Sequence, residues 1–426
     1  MNYEITPGGH WFEGNYKPGD VLHFVAGNYT YFSGANTSGT KENPIICTFD
    51  AGVTFSSGIN LTNCSYWKFD GGVNKNLFIK DATGVALSFK GKCNGIEITG
   101  VKVDKAYSFL WFKTEVGDFN TWDYWIKNDD GTISASFIMD GLTLTNFEFL
   151  NGNFDGCYIC STGQKADRAV VIDGTTYYPL PAKVANIQIQ NGLIDGAART
   201  GMQISGLLNG INFLKNVTIR NCGKSQESYQ GADFLIGGNS AGGIEIDSCI
   251  FDGSHLYNVR SSGGGVIKFT NNKCDNATFV DGKQNAEQMA SVEFDTYDDT
   301  PATLFIEGNT IGASNNEVSV VVYGTIKSVN PASTFKGNTC AGDFQNFSGV
   351  EFQKSGIAVP PPPPPPPPDT TILYYQLDAV KKQATFFRKD GSNTIIDNVQ
   401  RCVGAINKGL ITWTVFHSDK SSQVIK

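Results

Sequence analysis

Long apolar runs, basic clusters and histidine are all scarce in this chain, and each scarcity narrows the range of functions. No stretch approaches the ~18 consecutive apolar residues of a membrane-spanning helix, so no membrane span is expected. Lys and Arg number 33 against 41 Asp and Glu, charged residues make up 17%, and no basic run stands within the net charge of −8. Phosphate contacts need clustered cations, so nucleic acid is not an expected partner. Helical periodicity is missing too. The N-terminus, MNYEITPGGHWFEGNYKPGD, has neither the basic region nor the apolar region of a secretory signal. Either the chain is assembled without such export, or Met1 stands where a leader has been removed.

What the chain has instead is turns and β-formers: 48 glycines and 12% aromatics. A short pattern of two apolar residues around one other, a few turn-formers, then a second apolar pair recurs seven times. It reads IEITGVKV from Ile96, LTLTNFEF from Leu142, IQIQNGLI from Ile187, INFLKNVTI from Ile211, IEIDSCIF from Ile244, IKFTNNKC from Ile267 and LFIEGNTI from Leu304. Each copy predicts strand, tight turn, strand, a unit that buries its apolar face only by stacking on its neighbours. Spacings of 24, 33 and 23 residues from Ile187 to Ile267 suit one coil of a parallel β-helix. A propeller blade needs about 40 residues or more, and a leucine-rich repeat needs its own Leu and Asn ladder.

The opening segment strengthens that expectation. GDVLHFVAGNYT at Gly19–Thr30, followed by SGTKENPIICTFD at Ser38–Asp50, resembles the entry segment of right-handed parallel β-helix proteins of the pectate-lyase-like superfamily. That group includes polysaccharide lyases, glycoside hydrolases, uronate epimerases and bacteriophage tailspikes. The resemblance covers roughly residues 1 to 357 and implies an all-β, right-handed parallel β-helix solenoid, with an N-terminal cap and first coil over residues 1–53 and the parallel β-helix over 54–357. It carries over no catalytic residue, because the aspartate-rich and Gly-His-Gly signatures of the polygalacturonases and the Asp-Pro-His-Glu signature of the epimerases are missing.

Nine prolines, Pro360 to Pro368, follow the repeats. Such a run forms polyproline II at ~3.1 Å per residue, so residues 358–368 read as a linker. Beyond it, residues 369–426 read as a small β-rich module with strands at ILYYQL, ATFFRKD and GLITWTVF and a hairpin turn at DGSN. A module that small is marginal alone, so attachment to other subunits is expected, with a homotrimer among the arrangements it allows.

The ten cysteines sit near strands or turns, and buried reduced thiols are expected. Cys157 and Cys160 form one CxxC without a second, which argues against a zinc site.

Chemistry is expected where the period fails. Ile96 to Leu142 is 46 residues and Leu142 to Ile187 is 45, so two insertions should lie side by side on one flank. The first carries Phe119, Trp122, Tyr124 and Trp125 just after Trp111; the second carries Tyr177 and Tyr178. Aromatic faces stack on sugar rings, but a long loop also needs its own apolar anchors, and both readings stand. Alternation on the preceding strands places Lys90, Lys113, Tyr158, Gln203, Asp233 and Arg260 outward as a mixed polar row, with Tyr257 inward. Hydrolysis needs two suitably spaced carboxylates, yet Asp155, Asp195 and Asp252 lie in Asp-Gly turns. Elimination from a uronate needs a base and a neutralising cation, a part Tyr158 with Lys113 and Arg260 could take. No metal or cofactor is called for; Ca would enter only if the chain were a lyase. Two functions follow. One is a glycan-recognising component of a virion or other extracellular assembly, such as a bacteriophage tail or head-fibre appendage meeting cell-surface polysaccharide; the other is a secreted lyase or hydrolase of acidic polysaccharide.

Overall fold

The computed structural model describes residues 1–353 apart from 115–119, 130, 161–168, 180–181, 227–230, 239, 278, 281–282, 285–289, 296–300, 315–316 and 324–328, together with the strands between 372 and 425. Within residues 1–353 the repeats coil into a parallel β-helix with three faces, and no helix occurs among the described residues. The first sheet stacks residues 2–5, 21–24, 45–49, 67–70 and 96–99 and continues to 334–336. The second begins at 27–29 on 53–55 and ends at 310–311 on 339–340. The third runs from 9–13 to 343–346. The coil geometry implied by the resemblance is thus the one found, and it begins within the first 53 residues.

Why these residues coil is plainest at the corner between the first and second sheets. Gly100, Asn146, Asn191, Asn216, Ser248, Asn271, Gly308 and Gly337 occupy it in successive coils, all with φ between 51° and 69°. Only Gly, and next to it Asn, enters that left-handed region at little cost. The turn-formers inside the repeat are therefore corner pieces, and the apolar residues flanking them point inward as stacked rows. Ile98, Leu144, Ile189, Leu214, Ile246, Phe269 and Ile306 are all fully buried.

One copy is out of register. Gln188 pairs with Phe213 and Ile189 with Leu214, so Asn212, not Ile211, stands where Ile187 stands one coil earlier. Ile211 is 65% exposed. Asn212 tolerates the inward place because its Nδ2 donates to Leu208 O and Gly243 O while its Oδ1 accepts from Ile187 N. Later in the chain, Asn272, Asn309 and Asn338 form a similar ladder from coil to coil.

The nine cysteines within residues 1–353 are thiols, eight of them buried and Cys340 half-buried. Cys157 points inward from its strand, whereas Cys160 lies past the strand end at φ 58° and donates to Ala182 O.

Residues 356–426 form a second unit. It contains two antiparallel three-stranded meanders, Ile372–Asp378 with Gln383–Arg388 and Asn393–Ile396, and Val399–Asn407 with Leu410–His417 and Ser422–Ile425. The polyproline run lies outside the described residues.

Candidate functional site

The outer face of the third sheet gathers the chemistry. Ser88, Trp111, Tyr158, Gln203, Leu235, Arg260 and Glu293 are paired rung to rung in that order. All occupy the outward place because the neighbours on either side, such as Leu110, Phe112, Cys157 and Ile159, are fully buried.

Lys113 follows the strand that carries Trp111 and folds back over it. Its Nζ lies 4.1 Å from the centre of the Trp111 ring and 3.7 Å from that of Tyr158, and Lys90 Nζ lies 5.8 Å from the centre of Trp111. Such contacts are worth about 0.5–2 kcal/mol each, more where water is excluded, as at Lys113, only 4% exposed. The ammonium therefore fixes two aromatic planes on adjacent rungs. Gln203, 1% exposed, continues the row, and its Oε1 has no hydrogen-bond partner among the described residues; nor does Trp111 Nε1.

A second column flanks this floor at the corner entering the third sheet. Tyr107 stacks on Phe154 at 4.7 Å and 13°, and the Arg199 guanidinium lies 4.1 Å over Phe154. Tyr107 also meets Trp111 edge-on at 6.4 Å. Arg199 pairs at 3.4 Å with Asp155, which is 1% exposed. Sequence reading missed this column, although its signal is regular: each member stands three residues before the first inward residue of its strand, at Leu110, Cys157 and Met202.

The two insertions do stand side by side, but most of their aromatics anchor them to each other. Trp125, 2% exposed, forms a small separate core with Ile133, Val170 and Ile172, against which Trp122, Tyr124 and Tyr177 pack. Trp122 meets Tyr177 at 5.4 Å and donates through Nε1 to Asp173. Tyr124 accepts from Asn63 Nδ2 through its hydroxyl at 2.6 Å. Of the predicted loop platforms only Tyr178, 64% exposed, presents an open face, and Phe119 lies outside the described residues.

Two orientations are corrected. Asp233 is not part of the outer row: it is wholly buried, follows Gly156 and Gly201 at the corner before the strand, and accepts from Asn258 Nδ2 at 3.0 Å. Tyr257 faces outward, its ring 5.5 Å from the Arg260 guanidinium. Both errors extend strand alternation into a corner, where the chain turns and alternation lapses.

No protein-family model matches the chain, and no curated protein matches it. Solved structures similar over most of its length include two that act on polysaccharides by their names. One is the PL6 family alginate lyase AlyGC, at 11% identity and a TM-score of 0.32, covering 91% of this chain and 56% of that one. The other is the A-module of the Azotobacter vinelandii mannuronan C-5 epimerase AlgE6, at 10% identity and a TM-score of 0.34, covering 80% of this chain and 91% of that one. The chain thus spans little more than half the length of the lyase. Similarity this low assigns no residue a role.

The turn aspartates weighed for hydrolysis are held by neighbouring residues. Asp195 binds Arg220 and Asn221, Asp252 accepts from Asn276, and Asp155 holds Arg199. Further along the row, Glu293 and Asp295 both pair with Arg260, at 3.0 and 3.6 Å. Burial pushes the Glu293 carboxyl above the usual range, against the pull of Arg260 and a hydrogen bond from Tyr257. Burial, then the Glu293 charge, also push the Tyr257 hydroxyl up, so it is a poor base at neutral pH. No group of His, Cys, Asp and Glu among the described residues is arranged to hold a metal ion.

Proposed function

We propose that this protein is a glycan-recognising β-helix belonging to an extracellular assembly, of the kind that forms tail or head-fibre appendages of a bacteriophage virion. The observation that carries the glycan reading is the continuous outer row of Trp111, Tyr158 and Gln203, two fixed aromatic planes followed by a buried amide. Sugar rings stack on such planes through their C–H faces. The Tyr107–Phe154–Arg199 column gives the row a flank of the same character. Binding without turnover is favoured because Asp155, Asp195 and Asp252 are held by neighbouring coils and Asp233 is interior. The appendage reading draws on the proline run and the small strand-rich unit after it, an arrangement that suits attachment more than free diffusion of an enzyme.

A panel of bacterial surface and plant polysaccharides tests this, with retention measured alongside reducing ends and unsaturated-uronate absorbance. Retention of at least one glycan without turnover is expected, with Trp111→Ala losing about 10-fold or more in affinity. Steady release of products would replace the reading with a secreted lyase or hydrolase. Retention that Trp111→Ala leaves unchanged would move the site elsewhere.

A further inference from the structure

The outer row of the third sheet does not begin at Trp111. Rung-to-rung pairing carries it back through Ser88, Asn60 and Ser33 to Trp11 in the first coil. These residues hold the outward place because their strand neighbours, from Phe12 and Phe32 to Leu87 and Phe89, are buried. Four steps at ~4.8 Å set Trp11 about 19 Å from Trp111 along the coil axis. Trp11 is 63% exposed. Beside it the Tyr31 ring leans across Gly9, where a Cβ would lie only 2.7 Å from that ring, so the absence of a side chain is what lets the tyrosine rest there. Gly9 precedes Trp11 by two residues on the same face, about 7 Å along the strand. Two aromatic rings thus share the outer face of the first strand, and only Ser33, Asn60 and Ser88 stand in the row between them and Trp111.

We infer that Trp11 and Tyr31 form a second glycan platform, and that the face takes an oligosaccharide extended along the coil axis from Trp11 to Tyr158. The inference rests on the glycan reading above and adds a place and a minimum length to it. Trp11 is a wide apolar ring on a strand, and ordering it costs little side-chain freedom. A sugar that stacks only on Trp111 and Tyr158 gains nothing from it. A glycan that reaches back about 19 Å does gain, because its second contact is made at high effective concentration. The floor suits what lies between the platforms. Serine hydroxyls and the asparagine amide both give and accept hydrogen bonds, as a row of sugar hydroxyls requires, and their short side chains leave room for rings above them. Ser33, Asn60 and Ser88 carry no charge, so the middle of the glycan is read by its hydroxyls. An apolar protein surface laid on the same row would instead desolvate those polar groups without answering them.

Fluorine NMR of the full chain labelled with fluorotryptophan tests this, with size-fractionated fragments of the polysaccharide retained on the panel as the probe. Trp11→Phe and Trp111→Phe assign the two signals. Fragments that span about 19 Å should shift both signals with one midpoint, about 10-fold tighter than that of the disaccharide at Trp111. Trp11→Ala should remove that gain and leave the disaccharide unchanged, while Trp11→Phe, which keeps an aromatic plane, retains most of it. Trp111→Ala should weaken short and long fragments alike. Because Trp11 is largely exposed, its alanine variant should keep the wild-type fold, which the thermal transition checks. A Trp11 signal that no fragment moves, or long-fragment affinity that Trp11→Ala leaves unchanged, overturns the second platform. A fall in oligomer size in Trp11→Ala, measured by light scattering, would make Trp11 a contact between copies and overturn it as well. If Trp111→Ala still loses retention in either case, the first reading stands without the second. If the panel retains nothing, or neither variant alters any binding, both fall.

Discussion

Replacing Trp67 with alanine should cost about 3–5 kcal/mol of stability, the range for a fully buried aromatic cut back to a methyl group. Trp67 is wholly buried early in the solenoid, stacked at 5.2 Å on Phe12 and at 6.0 Å on Phe69, with the edge of Tyr16 at 6.2 Å. Its Nε1 donates to Thr37 O at 2.8 Å, so truncation also strands a buried carbonyl. Each coil touches only its neighbours, and the damage should accordingly be local. Hydrogen exchange in Trp67→Ala should show early opening of residues 2–70, while strands such as 187–195 and 244–252 keep their protection. Uniform loss of protection from one end to the other would mean that the coils unfold as one unit.

The second large effect concerns Asp233, whose carboxyl is pushed well above the usual range by burial, against hydrogen bonds from Asn258 and the Cys222 thiol. Asp252 adds a like charge, and Asp233 Oδ1 has no hydrogen-bond partner among the described residues. The folded-state value lies above the unfolded one, about 3.9. The contribution of Asp233 is therefore fully present below pH ~4 and is lost as pH rises toward the folded value, at about 1.4 kcal/mol per pH unit in that window. Asp233→Asn removes the titration. Its buried amide introduces a constant offset, so the informative quantity is the slope: urea midpoints of wild type should fall relative to Asp233→Asn as pH rises from 4. Parallel pH profiles for the two proteins would show that the carboxyl is solvated or paired in the native state.

The solenoid was readable because its corners demand Gly or Asn at fixed offsets and its faces demand alternation, two rules that leave a visible period. The same rules explain the errors. Ile211 looked like the first inward residue of its coil, but Asn212 takes that place by answering its own polar groups across two coils. Asp233 and Tyr257 were counted through corners, where alternation gives no guidance. Insertions announced themselves as broken spacing, but whether Trp122, Trp125 and Tyr177 face a ligand or one another depends on two loops distant in sequence meeting in space. Conversely, Tyr107, Phe154 and Arg199 were available at a constant offset before each strand and passed unnoticed, because aromatic, aromatic and arginine do not look like one repeated position. Glu293 was hidden for a related reason: its importance comes from Arg260 one rung away and Asp295 two residues on, not from any motif.

That the third sheet is the glycan-binding face is tested most directly by a crystal structure of the full chain soaked with the polysaccharide fragment it retains on the panel. The account predicts sugar rings lying over Trp111 and Tyr158, with the chain directed along the coil axis toward Arg260. Sugar bound only to the first or second sheet, or only to the residues beyond 356, would contradict it.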